Sequence, residues 1–335
     1  MPSTFGIQGE RTTMQCFRFR PLFLGCVLAI VGVCLLPVPA SAQYMGNNFH
    51  GDFGVNSGSQ AGPGFYVGIP FAQWNINEIK NADGNLVLGD QFEGFDFRAT
   101  FPTIIVVTPK KLLGANYGFM AAVPFSAKMP ERTFSEDVGG DWGLSDLYVV
   151  PLYLGWHTPR ADFVAGYGFY APTGQYEAGA NDNVGLGMWS QEIQGGTTVF
   201  FDAAKKYSAA TTAYLEFHSD KKDQDLKVGT LLTLEGGVAY NVPKIGGAFG
   251  VGYYLQNKLS DDTGADVPLT ALQALNLYGK NRVFGIGPDV TMAVFKKSGT
   301  IGLVNFRYLW ESAGKSTFQG STFLIGLTIA RPRTN

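Results

Sequence analysis

From residue 62 onward the chain consists of about twelve short segments in which apolar and polar residues alternate, joined by connections of alternating length. A period of two is typical of β-strands that present one apolar face. In a barrel made of hairpins, every second turn lies on the same side of the membrane, so one side has tight turns and the other has long loops. The pattern therefore predicts an all-β fold, an antiparallel up-and-down transmembrane β-barrel of about twelve strands.

The lengths of the connections alternate along the whole chain. Long stretches occupy residues 75–91, 128–141, 172–183, 219–225 and 257–280, with a briefer one at 312–316. Short turns occupy residues 108–114, 158–160, 202–206, 241–244 and 296–299. The short turns are rich in Lys and Arg with one acid, Asp202, whereas the long loops are rich in Asp and Glu. Since polar turns can be basic by chance, the alternation of lengths is the stronger argument.

An export signal precedes the barrel. Two arginines, an apolar run at residues 22–36 and small residues ending at Ala42 follow one another. This order is typical of a secretory signal peptide, and a run of about fifteen residues is shorter than the roughly twenty that a spanning helix needs. Residues 1–42 are therefore expected to be removed, and Met14 is an alternative to Met1 as the start of translation.

Several kinds of chemistry are not expected in the mature chain. All three cysteines, Cys16, Cys26 and Cys34, lie in the signal, which leaves no disulfide, thiolate metal site or cysteine nucleophile. His50 and His157 have no second ligand at a metal-binding spacing, so neither a metal nor another cofactor is expected. The net charge of −2 provides no basic patch for nucleic acid.

The chain divides into a signal peptide at residues 1–42, a glycine- and asparagine-rich stretch at 43–61 and the barrel at 62–335. The middle stretch shows little periodicity and is expected to be a flexible leader or a small plug on the periplasmic side. After residue 42 no stretch resembles a transmembrane helix, while 44 glycines and 14% aromatic residues suit a barrel. A soluble sandwich is the alternative, but it would be expected to carry charges on its outer faces.

The parity of each segment assigns its residues to lipid or lumen. Because an Arg or Lys facing hydrocarbon costs about 2–4 kcal/mol near the midplane, charges are expected to face inward and the alternating Phe95, Phe97, Ala99 and Phe101 outward. The predicted lumen-lining residues are Asp96, Arg98, Glu216, His218, Lys227, Glu235, Arg307 and Glu311. The same parity predicts an inward orientation for five further residues, Leu324, Leu231, Tyr214, Tyr254 and Tyr170. The charges could line a path for solutes or pair across a packed interior and hold the barrel together.

Ordered motifs occupy residues 143–152 (Gly-Leu-Ser-Asp-Leu-Tyr-Val-Val-Pro-Leu), 168–174 (Gly-Phe-Tyr-Ala-Pro-Thr-Gly) and 183–187 (Asn-Val-Gly-Leu-Gly), with others at 154–157, 252–254, 261–264 and 282–288. Together they resemble the outer-membrane protein family named for the meta-cleavage pathway of phenol degradation. The resemblance implies a Gram-negative outer-membrane barrel of a kind associated with moving aromatic or other hydrophobic compounds. Such barrels commonly end in an aromatic residue that the assembly machinery reads, whereas this chain ends in Thr334 and Asn335.

The expected function is passive uptake of small hydrophobic or aromatic compounds. The alternative is a structural or adhesive barrel with a closed lumen and acidic external loops. An enzyme is not expected, because His218 and Ser219 form the only adjacent His–Ser pair and no oriented triad pattern accompanies them. The expected partners are outer-membrane lipid and lipopolysaccharide, the barrel assembly machinery and the solutes themselves, with the protein in the outer membrane.

Overall fold

The computed structural model describes residues 45–89, 92, 94–129, 142–180, 183–242 and 246–333. The predicted signal peptide at 1–42 lies outside the described residues. The strands are β1 (Gly64–Lys80), β2 (Leu86–Val87), β3 (Phe95–Thr100), β4 (Thr103–Leu112), β5 (Ala115–Ala122), β6 (Phe125–Met129), β7 (Gly143–Leu144), β8 (Leu147–His157), β9 (Ala161–Ala171), β10 (Ser190–Phe200), β11 (Tyr207–His218), β12 (Leu231–Val242), β13 (Gly247–Lys258), β14 (Arg282–Lys297), β15 (Thr300–Lys315) and β16 (Thr317–Pro332). A 3₁₀ turn covers Gly54–Asn56 and a short helix, α1, covers Leu269–Ala274.

These strands form one antiparallel sheet that closes on itself. β1 pairs with β16 along its whole length, from Gly64 opposite Pro332 to Lys80 opposite Thr317. Three wall strands are each interrupted once, so that β3 continues into β4, β5 into β6, and β7 into β8. Counting each interrupted strand once, the wall has twelve strands, while β2 only extends the end of β1. The predicted twelve-stranded antiparallel barrel is confirmed.

Two of the short connections are tight turns with left-handed backbone. Leu113 and Gly114 have φ of 51° and 80°, and Ser298 and Gly299 have φ of 50° and 75°. Two successive positive φ angles characterise the two-residue turn whose twist matches that of the flanking strands. At the opposite end of the barrel the connections are longer, including residues 172–189, 219–230 and 259–281.

The outer surface of the wall is an apolar belt. In β16, Ile325 and Leu327 are 41% and 42% exposed, whereas Leu324, which faces the interior, is 2% exposed. Ile69, Ile193, Val238 and other large apolar side chains extend this belt around the barrel. A closed wall satisfies its backbone hydrogen bonds internally, and an apolar belt is compatible with hydrocarbon. The protein is therefore a membrane-spanning β-barrel.

Among the residues that the structure describes, no helix is both long enough and apolar enough to cross a bilayer.

Candidate functional site: the barrel lumen

The segment that precedes β1 lies inside the barrel. This luminal segment (residues 45–61) contacts inward-facing side chains of β9, β10, β11, β14 and β15, strands that together cover much of the wall. Only a chain in the interior can reach such widely separated strands. The sequence left open whether this stretch is a leader or a plug, and the observed contacts make it part of the lumen's contents.

Two asparagines hold the start of the luminal segment. The backbone N–H of Asn47 donates to Glu216 Oε1 at 2.6 Å, and its amide donates to Ser190 Oγ at 2.9 Å. Asn48 donates from its backbone to Glu216 Oε2 at 3.3 Å and from its amide to Glu192 Oε2 at 2.8 Å. Both glutamates are buried, and hydrogen bonds from the segment satisfy oxygens that would otherwise be costly to bury.

An ion pair on the wall clamps the middle of the luminal segment. Arg307 Nε donates to Asp289 Oδ2 at 2.8 Å, and both side chains are almost completely buried. The Nη1 of Arg307 also donates to the carbonyls of Gly51 and Asp52, while Asp289 Oδ2 accepts the backbone N–H of Val55 at 2.9 Å. The planar guanidinium, with donors in several directions, therefore binds the wall and the segment at once.

The clamp fits only because a glycine lies against it. Gly54 has φ of +47°, and a Cβ built there would lie 2.1 Å from Asp289 Oδ2 and 2.5 Å from Arg307 Nε. Its position therefore requires both a left-handed backbone and the absence of a side chain. By contrast, a Cβ at Gly62, which directly follows the segment, would meet nothing within 4 Å.

Polar contacts also hold the last part of the segment. Thr198 Oγ1 donates to the carbonyl of Ser57 at 2.8 Å, and Ser59 Oγ donates to Asp162 Oδ2 at 2.6 Å. The Gln60 amide donates to the carbonyl of Tyr153 at 2.9 Å. The segment is thus anchored from its beginning to the start of β1.

Aromatic rings fill one side of the lumen. Phe49 stacks on Phe101 with ring centroids 5.0 Å apart, and His50 packs on Tyr254 at 4.3 Å. Trp74 completes the cluster against Phe49 at 5.8 Å. Burial lowers the pKa of His50 to about 4, against the opposing effect of its backbone hydrogen bond with Asn48, so the ring is neutral at pH 7.

An interior cavity of about 60 Å³ lies beside this cluster. Its lining includes Phe101, Met120, Tyr148, Tyr170 and Tyr214, and the luminal segment closes part of it. Such a volume holds a few water molecules. The luminal segment therefore leaves little room beside the rings for a larger solute.

Five of the eight predicted lumen residues face the interior. Glu216, His218, Glu235 and Arg307 are buried on the inner face, and Glu311 accepts hydrogen bonds from Tyr254 and Thr322 there. Tyr170, Tyr214, Tyr254, Leu231 and Leu324 are also buried on this face. The five charged or polar residues do not meet at one point: Glu216 and His218 lie near the start of the segment, and Arg307 lies at its middle.

The inward placement of Asp96 and Arg98 is wrong. Ala99 is fully buried in the aromatic cluster, and Phe97 packs against it, so the alternate residues Asp96 and Arg98 face outward. There Arg98 pairs with Asp96 at 3.2 Å and donates to Gln73. They lie near the long-loop end of the wall, where an outward charge costs only about 0–1 kcal/mol, and the inner face is apolar because it packs on aromatic rings.

Lys227 is also not in the lumen. It is exposed in the connection before β12 and forms isolated bridges with Asp220 and Thr263. β12 begins at Leu231, so the residues before it do not follow the parity of the strand. Leu226, Val228 and Leu231 pack with Met188 and Val267 in a cluster beneath the loops.

Several residues of the lumen were not predicted. They are Glu192, Asp289, Asp162, Ser190 and Tyr148, all of which contact the luminal segment or its anchors. The alternation of Ser190, Glu192 and Gln194 in β10 carried the necessary signal. No periodicity could have revealed the part played by the segment, because about half of its hydrogen bonds to the wall use backbone groups.

The lumen contains more acidic than basic groups. The described inner face carries Asp162, Glu192, Glu216, Glu235, Asp289 and Glu311 against Arg307 and Lys258. Lys258 is already paired with Asp262 at 2.7 Å. An acidic interior favours cations over anions once water fills it.

Ser190, His218 and Glu216 lie close together, but not as a catalytic triad. His218 Nδ1 lies 2.8 Å from Ser190 Oγ and 3.7 Å from Glu216 Oε1, so both neighbours share one ring nitrogen. In a triad the serine and the acid contact different ring nitrogens. Within the described part of the chain, no group of three or more His, Cys, Asp or Glu side chains could hold a metal ion.

Comparison with known proteins places this barrel among its relatives. The COG4313 outer membrane channel from Pseudomonas putida F1 superposes with a TM-score of 0.62 at 13% sequence identity, covering 84% of this chain and 98% of that chain. The β-domain of the Bordetella autotransporter BrkA gives a TM-score of 0.42 at 14% identity, covering 79% of this chain and 98% of that chain. No curated protein matches the sequence. Residues 76–326 match the family described as "Putative MetA-pathway of phenol degradation", and the chain belongs to that family.

Proposed function

We propose that this protein is a passive channel through which small hydrophobic or aromatic compounds enter the cell, and that the luminal segment is its gate. The main support for this proposal is the interior cavity, which is lined by Phe101, Met120 and tyrosine rings and has the luminal segment packed against it. Aromatic side chains offer a solute ring apolar area and favourable edge or stacked contacts. The family match to phenol degradation and the likeness to an outer membrane channel support the same assignment.

Passage requires the luminal segment to leave its place. With residues 45–61 seated, the space beside Phe49 and Phe101 holds only a few water molecules. Most anchors of the segment are individual hydrogen bonds, each with a net contribution of roughly 0.5–1.5 kcal/mol, or roughly 1.5–3 kcal/mol where a charged group takes part. A solute that fills the vacated aromatic space compensates part of that loss.

A second candidate is a structural barrel with a closed lumen. The same anchors support it, because hydrogen bonds run along the segment from Asn47 to Gln60. In this alternative the charged pair of Arg307 and Asp289 holds the barrel and segment together permanently, and the protein's partners are lipopolysaccharide and other envelope components.

Reconstitution distinguishes the two candidates. The mature protein and a variant lacking residues 45–59 are placed in planar bilayers, and liposome swelling is followed with graded solutes that include phenol. A channel gives intermittent conductance in the full protein, steady conductance in the deletion variant, and flux of phenol in both. A silent full protein beside a conducting deletion variant favours the structural barrel. Heat-modifiable mobility in gels confirms that each barrel is folded.

A further inference from the structure

Three neighbouring strands of the wall carry a proline at the same level. Pro70 lies within β1 opposite Phe101, Pro102 separates β3 from β4, and Pro124 separates β5 from β6. We call this row the proline seam (Pro70, Pro102 and Pro124). Proline is rare inside paired strands, because it has no N–H to donate to its neighbour.

Each pair across the seam keeps one backbone–backbone hydrogen bond where regular pairing has two, although the carbonyl of Pro70 also accepts a hydrogen bond from Thr100 Oγ1 at 2.8 Å. The bonds that remain are Phe101 N–H to Pro70 O at 3.2 Å, Val123 N–H to Pro102 O at 3.0 Å and Ser145 N–H to Pro124 O at 2.9 Å. The return bond is missing each time, because the proline nitrogen carries no hydrogen. Three consecutive strand interfaces are therefore weakened side by side.

Separating two neighbouring strands at the seam leaves fewer backbone polar groups without a hydrogen-bond partner than separating two strands elsewhere in the wall. In hydrocarbon every unpaired N–H or C=O costs several kcal/mol, which is why barrel walls stay closed. A proline has no donor to leave unpaired. In addition, the carbonyl of Phe101 accepts a hydrogen bond at 2.6 Å from Thr103 Oγ1 on the same wall strand, which persists when the neighbouring strand moves away.

The interior cavity lies directly behind the seam. Phe101, Thr103, Met120, Ala122 and Pro124 belong to the interrupted strands, and all five line the cavity. On the outer side of the same strands, Val123, Phe125 and Leu144 are about two-fifths exposed and face hydrocarbon. A space lined largely by apolar and aromatic side chains is thus separated from the bilayer only by the weakened stretch of wall.

We propose that apolar aromatic solutes leave this cavity sideways, through the proline seam, into the hydrocarbon of the outer membrane. The inference rests on the proposed function and adds the exit route and the class of solute that can use it. A neutral ring exchanges aromatic contacts in the cavity for hydrocarbon without losing hydrogen bonds. Ions and sugars cannot take this route, because entering hydrocarbon would remove their hydration shells at a high cost in free energy.

The first test restores the missing donors. The double variant Pro70→Val and Pro102→Val supplies the missing N–H donor at two of the three pairs across the seam and leaves the lining of the cavity unchanged. The probe is N-phenyl-1-naphthylamine, an uncharged aromatic compound that lipopolysaccharide excludes and that fluoresces in hydrocarbon. In intact cells we expect the rate of fluorescence increase due to the protein to fall at least threefold in the variant, while conductance in planar bilayers stays at the wild-type level.

A second variant closes the wall without altering the prolines. Phe71→Cys with Thr100→Cys joins directly opposed residues of β1 and β3 beside the seam. Val238→Cys with Val251→Cys places an equivalent pair between β12 and β13, away from the seam. Oxidation is expected to slow probe delivery only in the first variant, and a reducing agent is expected to restore it.

The outcomes separate this inference from the proposed function. Probe delivery that is unchanged in both seam variants, or a fall in delivery matched by an equal fall in conductance, overturns the lateral exit and leaves the channel intact. If the wild type conducts ions but delivers no probe, the lateral exit is likewise overturned and the channel function stands. Absence of both conductance and delivery, in the wild type and in the variant lacking residues 45–59, overturns the proposed function as well.

Discussion

Gly54→Ala tests whether the luminal segment is a gate. At this position an alanine must adopt φ near +47°, which costs about 1–2 kcal/mol. Its Cβ would also lie 2.1 Å from Asp289 Oδ2, an atom of a fully buried side chain that cannot move without loosening its 2.8 Å bond to Arg307. The loss of one charge-assisted hydrogen bond adds about 1.5–3 kcal/mol.

Together these two effects destabilise the seated segment by about 3 kcal/mol, which raises the ratio of released to seated segment on the order of a hundredfold. The open fraction of single channels in planar bilayers measures that ratio. Gly62→Ala is the matched control, because a Cβ there meets nothing within 4 Å. If Gly54→Ala opens no more often than the wild type, or if Gly62→Ala opens just as often, the gating argument is refuted.

Three further predictions address the charges of the lumen. Arg307→Lys retains a positive charge but cannot reach Asp289 and two carbonyls at once, so the open fraction should rise roughly tenfold, while Arg98→Lys on the outer wall leaves it unchanged in the same recordings. Burial raises the pKa of the Asp52 carboxyl to about 6, against the opposing charge of Arg307. The seated segment is thus stabilised below the unshifted pKa, and that contribution is lost as pH rises through 6. Asp52→Asn should therefore lower the open fraction at pH 7.5 and have little effect at pH 4.5. Glu192→Gln should reduce the preference for K⁺ over Cl⁻ in reversal-potential measurements on the variant lacking residues 45–59, and an unchanged reversal potential would contradict an acidic path.

The sequence predicted the wall well because the wall obeys a simple period. In β16 the alternation of Ile325 and Leu327 with Leu324 and Gly326 defines the two faces of the strand, and the structure places them accordingly. In β3 the same period exists, but alternation alone does not say which face meets lipid. The lumen is apolar there, so Phe97 faces inward and Arg98 faces outward.

The luminal segment could not be placed from the sequence for a different reason. Its anchors include the backbone N–H groups of Asn47 and Val55 and the backbone carbonyl of Gly51, and every residue type except proline possesses both kinds of group. Its positions with a strict requirement for glycine, among them Gly54 and Gly58, lie in a stretch with many glycines and are not distinguished by composition. The complementary groups are far away in the chain, and only the closed barrel brings them together.

The luminal segment is covalently continuous with β1, and this tether determines how the passage recloses. A released segment stays within a few residues' reach of its binding site, so its effective concentration there is on the order of millimolar whatever the abundance of the protein. Washing or dilution cannot remove the luminal segment. Its return to the lumen is an intramolecular step with first-order kinetics. Under the proposed gating mechanism, openings of the channel are therefore brief and independent of one another.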